Sequence, residues 1–244
     1  MVEEFKKTLS YICYKINIEI NEEQLWKFYQ FYQLLLEWNQ RMNLTAIIEE
    51  RDVIYKHFAD SIAVLKYIDM KEEDNVIDVG CGAGFPGIPL KIMRPGIRIT
   101  LVDSVNKKLD FVREAATVLE LSDVSCIHGR AEDLGREKGL RNSFDFCVSR
   151  AVSELAVLSE LCLPFIKKQS LFISYKGGSP EEELKEAEYA IKELGGKIET
   201  VEKFVLPETD MERSFIMIRS VKQISDKYPR KVGVPKKSPL MRQL

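Results

Sequence analysis

The sequence predicts an α/β protein of the doubly wound, Rossmann-like type, with a mostly parallel sheet. Three observations lead to this prediction. From Asn75 onward, short β-branched runs alternate with amphipathic helical segments, which is the pattern of parallel strands joined by right-handed crossovers. A glycine-rich stretch, GCGAGFPG, follows the first of these runs, where a doubly wound sheet binds its ligands. After Gly195 and Gly196, two β-rich runs follow each other without a helix, which predicts an antiparallel hairpin at a sheet edge.

Residues 1–70 form a predicted N-terminal helical extension. Asn21 is a suitable N-cap, and Gln24 three residues later completes a capping box. Apolar and aromatic side chains then recur at helical spacing, which indicates a buried helix face. These side chains are Leu25, Phe28, Tyr29, Tyr32, Leu35 and Leu36. A second helix is predicted over residues 52–67, after the break at RMNLTA.

Residues 71–221 carry the strand–helix alternation and are interpreted as the main domain. Strands are predicted near residues 75–79, 98–102, 123–127, 144–149 and 170–175. Helices are predicted near residues 86–93, 105–120, 153–166 and 180–194. The runs at 197–206 and 213–220 form the predicted hairpin. A terminal antiparallel hairpin after parallel strands favours the methyltransferase variant of the Rossmann-like fold over the dehydrogenase variant.

Composition is that of an ordinary globular protein, with 45% hydrophobic and 30% charged residues among 244. No apolar run approaches the roughly 18 residues needed to cross a membrane, and the N-terminal MVEEFKKTLS lacks a secretory pattern. The five cysteines are scattered without C-x-x-C spacing, which predicts reduced thiols and no metal site. We therefore expect a cytoplasmic protein without a membrane or metal partner.

Residues 222–244 form a basic C-terminal segment, the tail. From Val221 onward there are seven basic residues and one acidic residue, so this end carries a net charge of +6 and the rest of the chain one of −8. Prolines and glycines punctuate the tail, which predicts an extended conformation rather than a helix. Charge alone leaves two interpretations open: a solvated terminus, or a surface for an anionic partner.

Residues 75–92, NVIDVGCGAGFPGIPLKI, contain the G-x-G-x-x-G spacing of dinucleotide-binding loops. Glycines allow a sharp turn and a close approach of a cofactor to the backbone. Both NAD and S-adenosylmethionine satisfy that requirement, but the charge of Asp78 separates them. A carboxylate beside the loop repels the pyrophosphate of NAD and attracts the ammonium and sulfonium groups of S-adenosylmethionine. The loop is therefore interpreted as a methyltransferase cofactor site.

Asp103 ends the second predicted strand, 21 residues after Gly82, where an acidic side chain can bind two ribose hydroxyls. Capping of the helix that starts near Val105 is the alternative role. A short-chain dehydrogenase would place a Y-x-x-x-K pair after the cofactor loop, whereas both such pairs here precede it. This order leaves an oxidoreductase as a minor alternative.

Missing motifs narrow the group that accepts the methyl. No two prolines are adjacent, so the Asn/Asp-Pro-Pro-aromatic element of exocyclic-amine methyltransferases is absent. Cys81 lies in the cofactor loop, and Cys147 and Cys162 lie in apolar segments, so a cysteine nucleophile for pyrimidine C5 methylation is discounted. A methyl acceptor that is an oxygen atom usually needs a catalytic base or a metal, and the chain has only two histidines to act as a base. What remains is an acceptor that is already nucleophilic, such as guanine N7, which needs in-line positioning but no proton removal.

Several separated motifs resemble the RsmG family (glucose-inhibited division protein B) of bacterial 16S rRNA guanine-N7 methyltransferases. The motifs are N-L-T (43–45), H-F-A-D-S (57–61), D-V-G-C-G-A-G-F-P-G-I-P-L (78–90), L-V-D-S with K-K (101–108), G-R-A-E (129–132), S-R-A (149–151) and K-Y-P-R-K-x-G-x-P-x-K-x-P-L (227–240). They extend over almost the whole chain. Cys81 is a departure, because the family commonly has Ser or Ala there, but the side chain remains small.

The resemblance implies a class I S-adenosylmethionine-dependent methyltransferase fold and assigns roles by motif. The cofactor would be held by Asp78, Gly80, Gly82, Gly84, Phe85, Asp103, Ala131, Glu132 and Arg150. Ala131 and Glu132 would hold the adenine, and capping of a short helix is the alternative role of Glu132. Arg150 would orient the target or the cofactor, although an arginine at a strand end can also form a surface ion pair.

The resemblance also implies the substrate and its contacts. The substrate would be 16S rRNA, either as free RNA or within a 30S subunit or an assembly intermediate. A monomeric enzyme would methylate it in the decoding-region loop by direct displacement, with no side chain acting as catalytic acid or base. His57, one helical turn from Asp60, could contact it and border the substrate. RNA phosphates would be bound by Lys56, Lys227, Arg230, Lys231, Lys236 and Lys237. Alternatives are a methyltransferase acting on another RNA, a protein or a small molecule, and an RNA-binding protein with a vestigial cofactor loop.

Overall fold

The computed structural model describes residues 2–150 and 152–241, so Ala151 of the S-R-A motif and Arg242 of the tail lie outside the described residues. The chain forms an α/β structure around a seven-stranded sheet, which confirms the predicted fold class. The strands are β1 (Asn75–Val79), β2 (Arg98–Asp103), β3 (Val124–His128), β4 (Phe144–Arg150), β5 (Ile166–Gly177), β6 (Gly196–Val205) and β7 (Glu212–Ser220).

The order of strands across the sheet is β3-β2-β1-β4-β5-β7-β6. Strands β1 to β5 pair in parallel, and β7 is antiparallel to both β5 and β6, so the predicted terminal hairpin is confirmed. From β1 the chain adds β2 and β3 on one side, and then returns to add β4 and β5 on the other. This reversal creates a topological switch point between β1 and β4, where the carboxyl ends of the strands leave a crevice.

Helices cover both faces of the sheet. They are α1 (Val2–Lys15), α2 (Glu22–Asn39), α3 (Glu50–Val53), α4 (Asp60–Ile62), α5 (Gly87–Met93), α6 (Asn106–Val118), α7 (Ala131–Leu134), α8 (Leu155–Cys162), α9 (Glu181–Glu193) and α10 (Val234–Lys237). Successive strand residues point to opposite faces, so Val76 and Ile77 of β1 lie in different apolar cores. Val76 shares its core with α5 and α6, whereas Ile77 shares its core with α8 and α9.

The N-terminal helices pack on one face of the sheet and its helices through a continuous aromatic core. Asn21 caps α2, and its capping box with Gln24 is complete, as predicted. The Phe31 ring of α2 lies 5.3 Å from the Phe85 ring and 5.9 Å from the Phe111 ring of α6. Because Phe85 belongs to the glycine-rich loop, this core fixes the helical segment against the predicted cofactor site.

The second predicted N-terminal helix contains a wider turn. Helix α3 continues into a π-helical turn, Ile54–Ala59, and then into α4 and a 3-10 turn, Ala63–Lys66. Turns of this kind occur mostly as short interruptions of α-helices and often lie at functional sites. Here the π-helical turn contains His57, one of the predicted site residues.

The tail lies against α8 and the segment after α7 in a largely irregular conformation, apart from α10, which the sequence did not predict. The guanidinium groups of Arg136 and Arg141 donate hydrogen bonds to backbone carbonyls within residues 224–229. Arg230 forms a bidentate ion pair with Glu160 of α8, with Nη2–Oε2 and Nε–Oε1 distances of 2.6 and 2.9 Å. The Glu160 side chain is 1% exposed, so this pair anchors the tail to the interior.

Three further findings concern the cysteines, membrane-spanning helices and metal-binding clusters. The five cysteines are free thiols. No helix within residues 2–150 and 152–241 has both the length and the apolar character needed to cross a bilayer. The same ranges contain no cluster of three or more His, Cys, Asp or Glu side chains suited to a metal ion.

Candidate cofactor and substrate site

A cavity of about 440 Å³ opens at the carboxyl ends of the first four strands, at the topological switch point. Most of the loop after β1 lines it, and so do the segments that follow β2 and β3. Arg150 and Val152 line it from the end of β4. Leu44, Thr45 and His57 close it from the N-terminal helical segment. The sheet therefore brings together motifs that are far apart in the sequence.

The loop after β1 turns sharply because its glycines adopt a left-handed backbone. Gly80 and Gly84 have φ values of 77° and 79°. A Cβ on Gly80 would lie 2.5 Å from Val152 Cγ2, so the missing side chain keeps this wall of the cavity clear. Gly84 does not line the cavity, and a Cβ there would meet the Ile88 side chain at 2.7 Å. The predicted cofactor residues Gly80 and Gly82 thus lie in the wall, while Gly84 shapes the turn behind it.

Asp78 lies beneath the loop rather than in the cavity wall, and its predicted contact with the cofactor stays a prediction. Its side chain is fully buried, and Oδ2 accepts a hydrogen bond of 2.9 Å from the Gly87 N–H at the start of α5. Oδ1 has no hydrogen-bond partner among the described residues. Burial raises the pKa of Asp78 to about 7, although the Gly87 hydrogen bond and the Arg150 charge act to lower it.

Asp103 lies in the cavity wall at the end of β2. Its Oδ2 accepts the Gly82 N–H and its Oδ1 accepts the Val105 N–H, both at 2.9 Å. The carboxylate therefore ties the loops after β1 and β2 together, and it keeps further lone pairs for a ligand. Helix α6 begins at Asn106 without a side-chain cap, so the alternative role of Asp103 as a helix cap is not observed.

Ala131 and Glu132 line the cavity at the start of α7. The short helix has no side-chain cap, so the alternative role of Glu132 as a capping residue is also not observed. Instead, Glu132 Oε1 accepts a hydrogen bond of 3.0 Å from the Gly233 N–H of the tail. The tail therefore contacts a residue of the cavity wall directly.

Phe85, His57 and Arg150 form a stack at one side of the cavity. The His57 and Phe85 ring centroids are 4.5 Å apart with an interplanar angle of 17°, and Arg150 Cζ lies 5.2 Å from the Phe85 centroid. Arg150 Nη2 lies 3.4 Å from His57 Nδ1. Burial, reinforced by the charge of Arg150, lowers the pKa of His57 to about 3. His57 is consequently neutral at physiological pH.

A buried carboxylate holds this stack in place. Asp60 Oδ2 accepts a hydrogen bond of 2.9 Å from Arg150 Nη1, and Oδ1 accepts one of 2.8 Å from Arg213 Nε. His57 and Asp60 therefore meet through Arg150, whereas the sequence suggested a direct contact between them. Arg213 lies on β7, and no local sequence pattern indicated its part in the site.

The six basic residues predicted to bind RNA fall into two groups. Three form ion pairs: Lys56 with Asp52, Lys227 with Glu193, and Arg230 with Glu160. Three have no carboxylate partner among the described residues: Lys231, Lys236 and Lys237. Because the buried Glu160 carboxylate binds the Nε–Nη2 edge of the guanidinium, Arg230 anchors the tail, and its predicted contact with RNA stays a prediction.

The cavity wall also contains residues that the sequence did not predict for the site, among them Lys108, Arg130 and Thr45. Lys108 and Arg130 line the cavity, and neither has a carboxylate partner in the described parts of the chain. Arg130 follows the end of β3 by two residues and Lys108 lies in the first turn of α6, after β2, and these positions were the signal that could have identified them. Thr45 also lines the cavity, and although it belongs to the N-L-T motif, that match assigned it no role.

The strand order and a glycine-rich cavity at the switch point define the class I S-adenosylmethionine-dependent methyltransferase fold. Among solved structures, geranyl diphosphate C-methyltransferase from Streptomyces coelicolor A3(2), in complex with Mg²⁺, geranyl diphosphate and S-adenosyl-L-homocysteine, shares this fold with a TM-score of 0.53. The two sequences are 14% identical, and the match covers 67% of this chain and 79% of that one. A likeness at this identity shows the fold alone.

Sequence comparison gives the family. The model of the GidB family, rRNA small subunit methyltransferase G, matches residues 24–216, and the chain belongs to this family. A Ribosomal RNA small subunit methyltransferase G from Lachnoclostridium phytofermentans is 50% identical over 93% of this chain and 94% of its own. A protein of the same name from Clostridium botulinum is 46% identical over 97% of this chain and 99% of its own.

Proposed function

We propose that this chain transfers a methyl group from S-adenosylmethionine to N7 of a guanine in the decoding-region loop of bacterial 16S rRNA. The observation that carries the proposal is the cavity, in which a glycine loop, Asp103 and the Phe85–His57–Arg150 stack meet at the switch point of a methyltransferase fold. The names of relatives about half identical to this chain support rRNA as the substrate class.

The cavity suits S-adenosylmethionine in its charge and shape. The Asp78 carboxyl, with Oδ1 unpartnered among the described residues, provides a negative potential beneath the loop for a cationic ligand. Asp103 has lone pairs available for ribose hydroxyls, and Gly80 leaves room for close approach to the backbone. Ala131 and Glu132 form the wall on the side assigned to the adenine. When bound, the cofactor supplies an electrophilic methyl group.

The protein's own contribution is orientation rather than acid–base chemistry. Guanine N7 presents an in-plane lone pair and carries no proton that must be removed. Neutral His57 stacks on Phe85 and leaves Arg150 as the fixed positive charge beside the target position. The target base must leave its stack to enter the cavity, which costs less in a loop than in a duplex.

RNA phosphates are the ligands that best suit the basic side chains around the cavity that have no carboxylate partner among the described residues. Lys108 and Arg130 lie in the wall near the predicted ribose and adenine sites, where the cofactor has no negative charge to bind them. Lys231, Lys236 and Lys237 extend this basic surface along the tail. We propose a 30S subunit or an assembly intermediate as the substrate, modified by a monomer in the cytoplasm.

The direct test is methyl transfer from labelled S-adenosylmethionine to 30S subunits purified from cells that lack this methyltransferase. Naked 16S rRNA, tRNA and a protein extract serve as parallel acceptors, and the labelled RNA is digested for nucleoside mapping. We expect label at one guanine N7 of 16S rRNA. Label on another RNA, a protein or a small molecule, or cofactor binding without transfer to any acceptor, would identify one of the alternative functions.

The pKa of Asp78 predicts that cofactor binding depends on pH. A cationic ligand above the loop stabilises the ionised carboxylate, so binding lowers the pKa of Asp78 from about 7 and releases a proton. The dissociation constant should therefore fall several-fold, at most about 10-fold per pH unit, between pH 6 and 7.5. Calorimetric titration in two buffers of different ionisation enthalpy measures both the affinity and the protons released. D78N should bind without this pH dependence, and a wild-type affinity independent of pH would contradict the prediction.

Replacing Lys231, Lys236 and Lys237 together by Ala should weaken RNA binding without affecting cofactor affinity. Loss of three phosphate contacts reduces the slope of log K against log salt by about 2, because single-stranded RNA releases about 0.7 counterions per contact. The KM for 30S subunits, measured across salt concentrations, reports this slope. The matched control replaces Lys71, Lys168 and Lys197 by Ala; these are exposed lysines near the amino ends of β1, β5 and β6. Equal slopes for the two triple variants would place the RNA elsewhere.

A further inference from the structure

Thr45 lies in the cavity wall, and its hydroxyl has two hydrogen-bonding neighbours. Oγ1 accepts a hydrogen bond of 3.0 Å from the Ile47 N–H and lies 2.9 Å from His57 Nε2. A hydroxyl has one hydrogen to donate and two lone pairs with which to accept. Whether the Thr45 hydrogen is already used therefore depends on which nitrogen of His57 carries the proton.

The neighbours of His57 assign that proton. His57 Nδ1 faces Arg150 Nη2 at 3.4 Å, and a guanidinium can only donate hydrogen bonds. The Lys56 carbonyl is a competing acceptor for a His57 ring N–H, but we assign the lone pair to Nδ1, since an N–H there would oppose the Arg150 N–H. The pKa of His57, lowered to about 3, leaves the ring with one proton at neutral pH, and that proton then lies on Nε2. Nε2–H donates to Thr45 Oγ1.

Both lone pairs of Thr45 Oγ1 are consequently occupied, and its O–H has no acceptor among the described residues. The position of this donor is well fixed. Asn39 Oδ1, at the end of α2, accepts the backbone N–H groups of Leu44 and Thr45 at 2.8 and 3.0 Å. His57 is held in turn by its stack on Phe85. The cavity therefore presents a rigid hydroxyl donor on the same side as Arg150, whose guanidinium is largely engaged by Asp60 and Ser61.

We propose that the Thr45 hydroxyl donates a hydrogen bond to O6 of the target guanine and so selects guanine over adenine. This inference rests on the proposed function. Guanine presents O6, an acceptor, beside N7, whereas adenine presents an amino donor at the same position. A base whose N7 is placed for methylation brings this neighbouring group to the same wall. A donor in that wall binds guanine and faces an unfavourable donor–donor contact with adenine.

The test compares T45V, which keeps the shape of the side chain but removes the hydroxyl, with T45S, which keeps the hydroxyl. The acceptors are 30S particles reconstituted with 16S rRNA that carries either guanine or 2,6-diaminopurine at the modified position. We expect T45V to lower kcat/KM on guanine about 10-fold to 100-fold, with T45S within about 3-fold of wild type. The affinity for S-adenosylmethionine should be unchanged in both. On diaminopurine, which also has an amino group at position 6, T45V should be no slower than wild type.

Three results would overturn the assignment. Unchanged turnover of T45V on guanine excludes the contact, and an equal loss on both bases shows that Thr45 only supports the fold. Nitrogen-15 NMR of His57 that finds the proton on Nδ1 excludes the hydrogen-bond arrangement itself. The wild-type arm separates this inference from the proposed function: a wild-type enzyme that does not methylate guanine N7 refutes both, whereas an active enzyme with an unaffected T45V refutes only the role of Thr45.

Discussion

Asp60→Ala is expected to destabilise the protein by about 3–5 kcal/mol, because it leaves two partly buried guanidinium groups without their shared carboxylate. The Asp60 side chain is 7% exposed, and those of its partners Arg150 and Arg213 are 13% and 23% exposed. Such a loss is a large part of the free energy of unfolding of a typical domain. Urea unfolding followed by circular dichroism measures it as a lower midpoint at an unchanged slope. Methyl transfer by the folded fraction should also be lost, since Arg150 is no longer held over Phe85.

Asp52→Ala is the matched control for Asp60→Ala. Asp52 pairs with Lys56 one helical turn away, and their side chains are 45% and 33% exposed. Exposed pairs of this kind contribute about 0.3–0.5 kcal/mol, so the control should unfold almost like the wild type. D60N keeps the volume and one acceptor oxygen, so its free energy of unfolding should lie between those of Asp60→Ala and Asp52→Ala. If Asp60→Ala proved as mild as Asp52→Ala, the carboxylate would not be what holds the stack.

Local sequence patterns predicted the elements of this fold because their causes are local. The capping box of Asn21 and Gln24 needs residues three apart, and the glycine turn after β1 needs a backbone that only Gly80 and its neighbours adopt easily. The hairpin of β6 and β7 follows from two β-rich runs without a helix between them. Ligand position then follows from topology, since the carboxyl ends of parallel strands meet at one edge.

The side-chain network of the site could not be predicted in the same way. Arg150 meets Asp60 across 90 residues, and Glu132 meets Gly233 across 101. The spacing of residues in the sequence does not indicate which of many carboxylates a guanidinium group will contact. The basic run of the tail left open a solvated terminus or a surface for an anionic partner, and neither interpretation indicated that Arg230 reaches a buried partner on α8. The burial of Asp78 was also not evident from its place beside the glycine loop, because a strand covered on both faces can bury a carboxyl next to a ligand-binding loop.

Asp103→Ala is expected to weaken S-adenosylmethionine binding by about 100-fold or more. Each hydrogen bond from a ribose hydroxyl to a carboxylate contributes about 1.5–3 kcal/mol, and every 1.4 kcal/mol is a tenfold change in affinity. The substitution also removes the acceptor for the Gly82 and Val105 N–H groups, so both loops that form this wall lose their tie. Isothermal titration calorimetry gives the dissociation constant directly, and circular dichroism establishes that the variant is folded.

Asp110→Ala separates the loss of this particular carboxylate from the loss of any charge near the cavity. Asp110 lies on α6, close in sequence to Asp103, but its side chain is 48% exposed and pairs with Arg113. Its removal should leave cofactor affinity within about 3-fold of wild type, as expected for a surface ion pair. D103N provides a second comparison, because it keeps an oxygen for one loop N–H but lacks the charge that strengthens the ribose contacts. Affinity in Asp103→Ala as high as in Asp110→Ala would mean that the ribose is bound by other residues, and that Asp103 only connects the two loops.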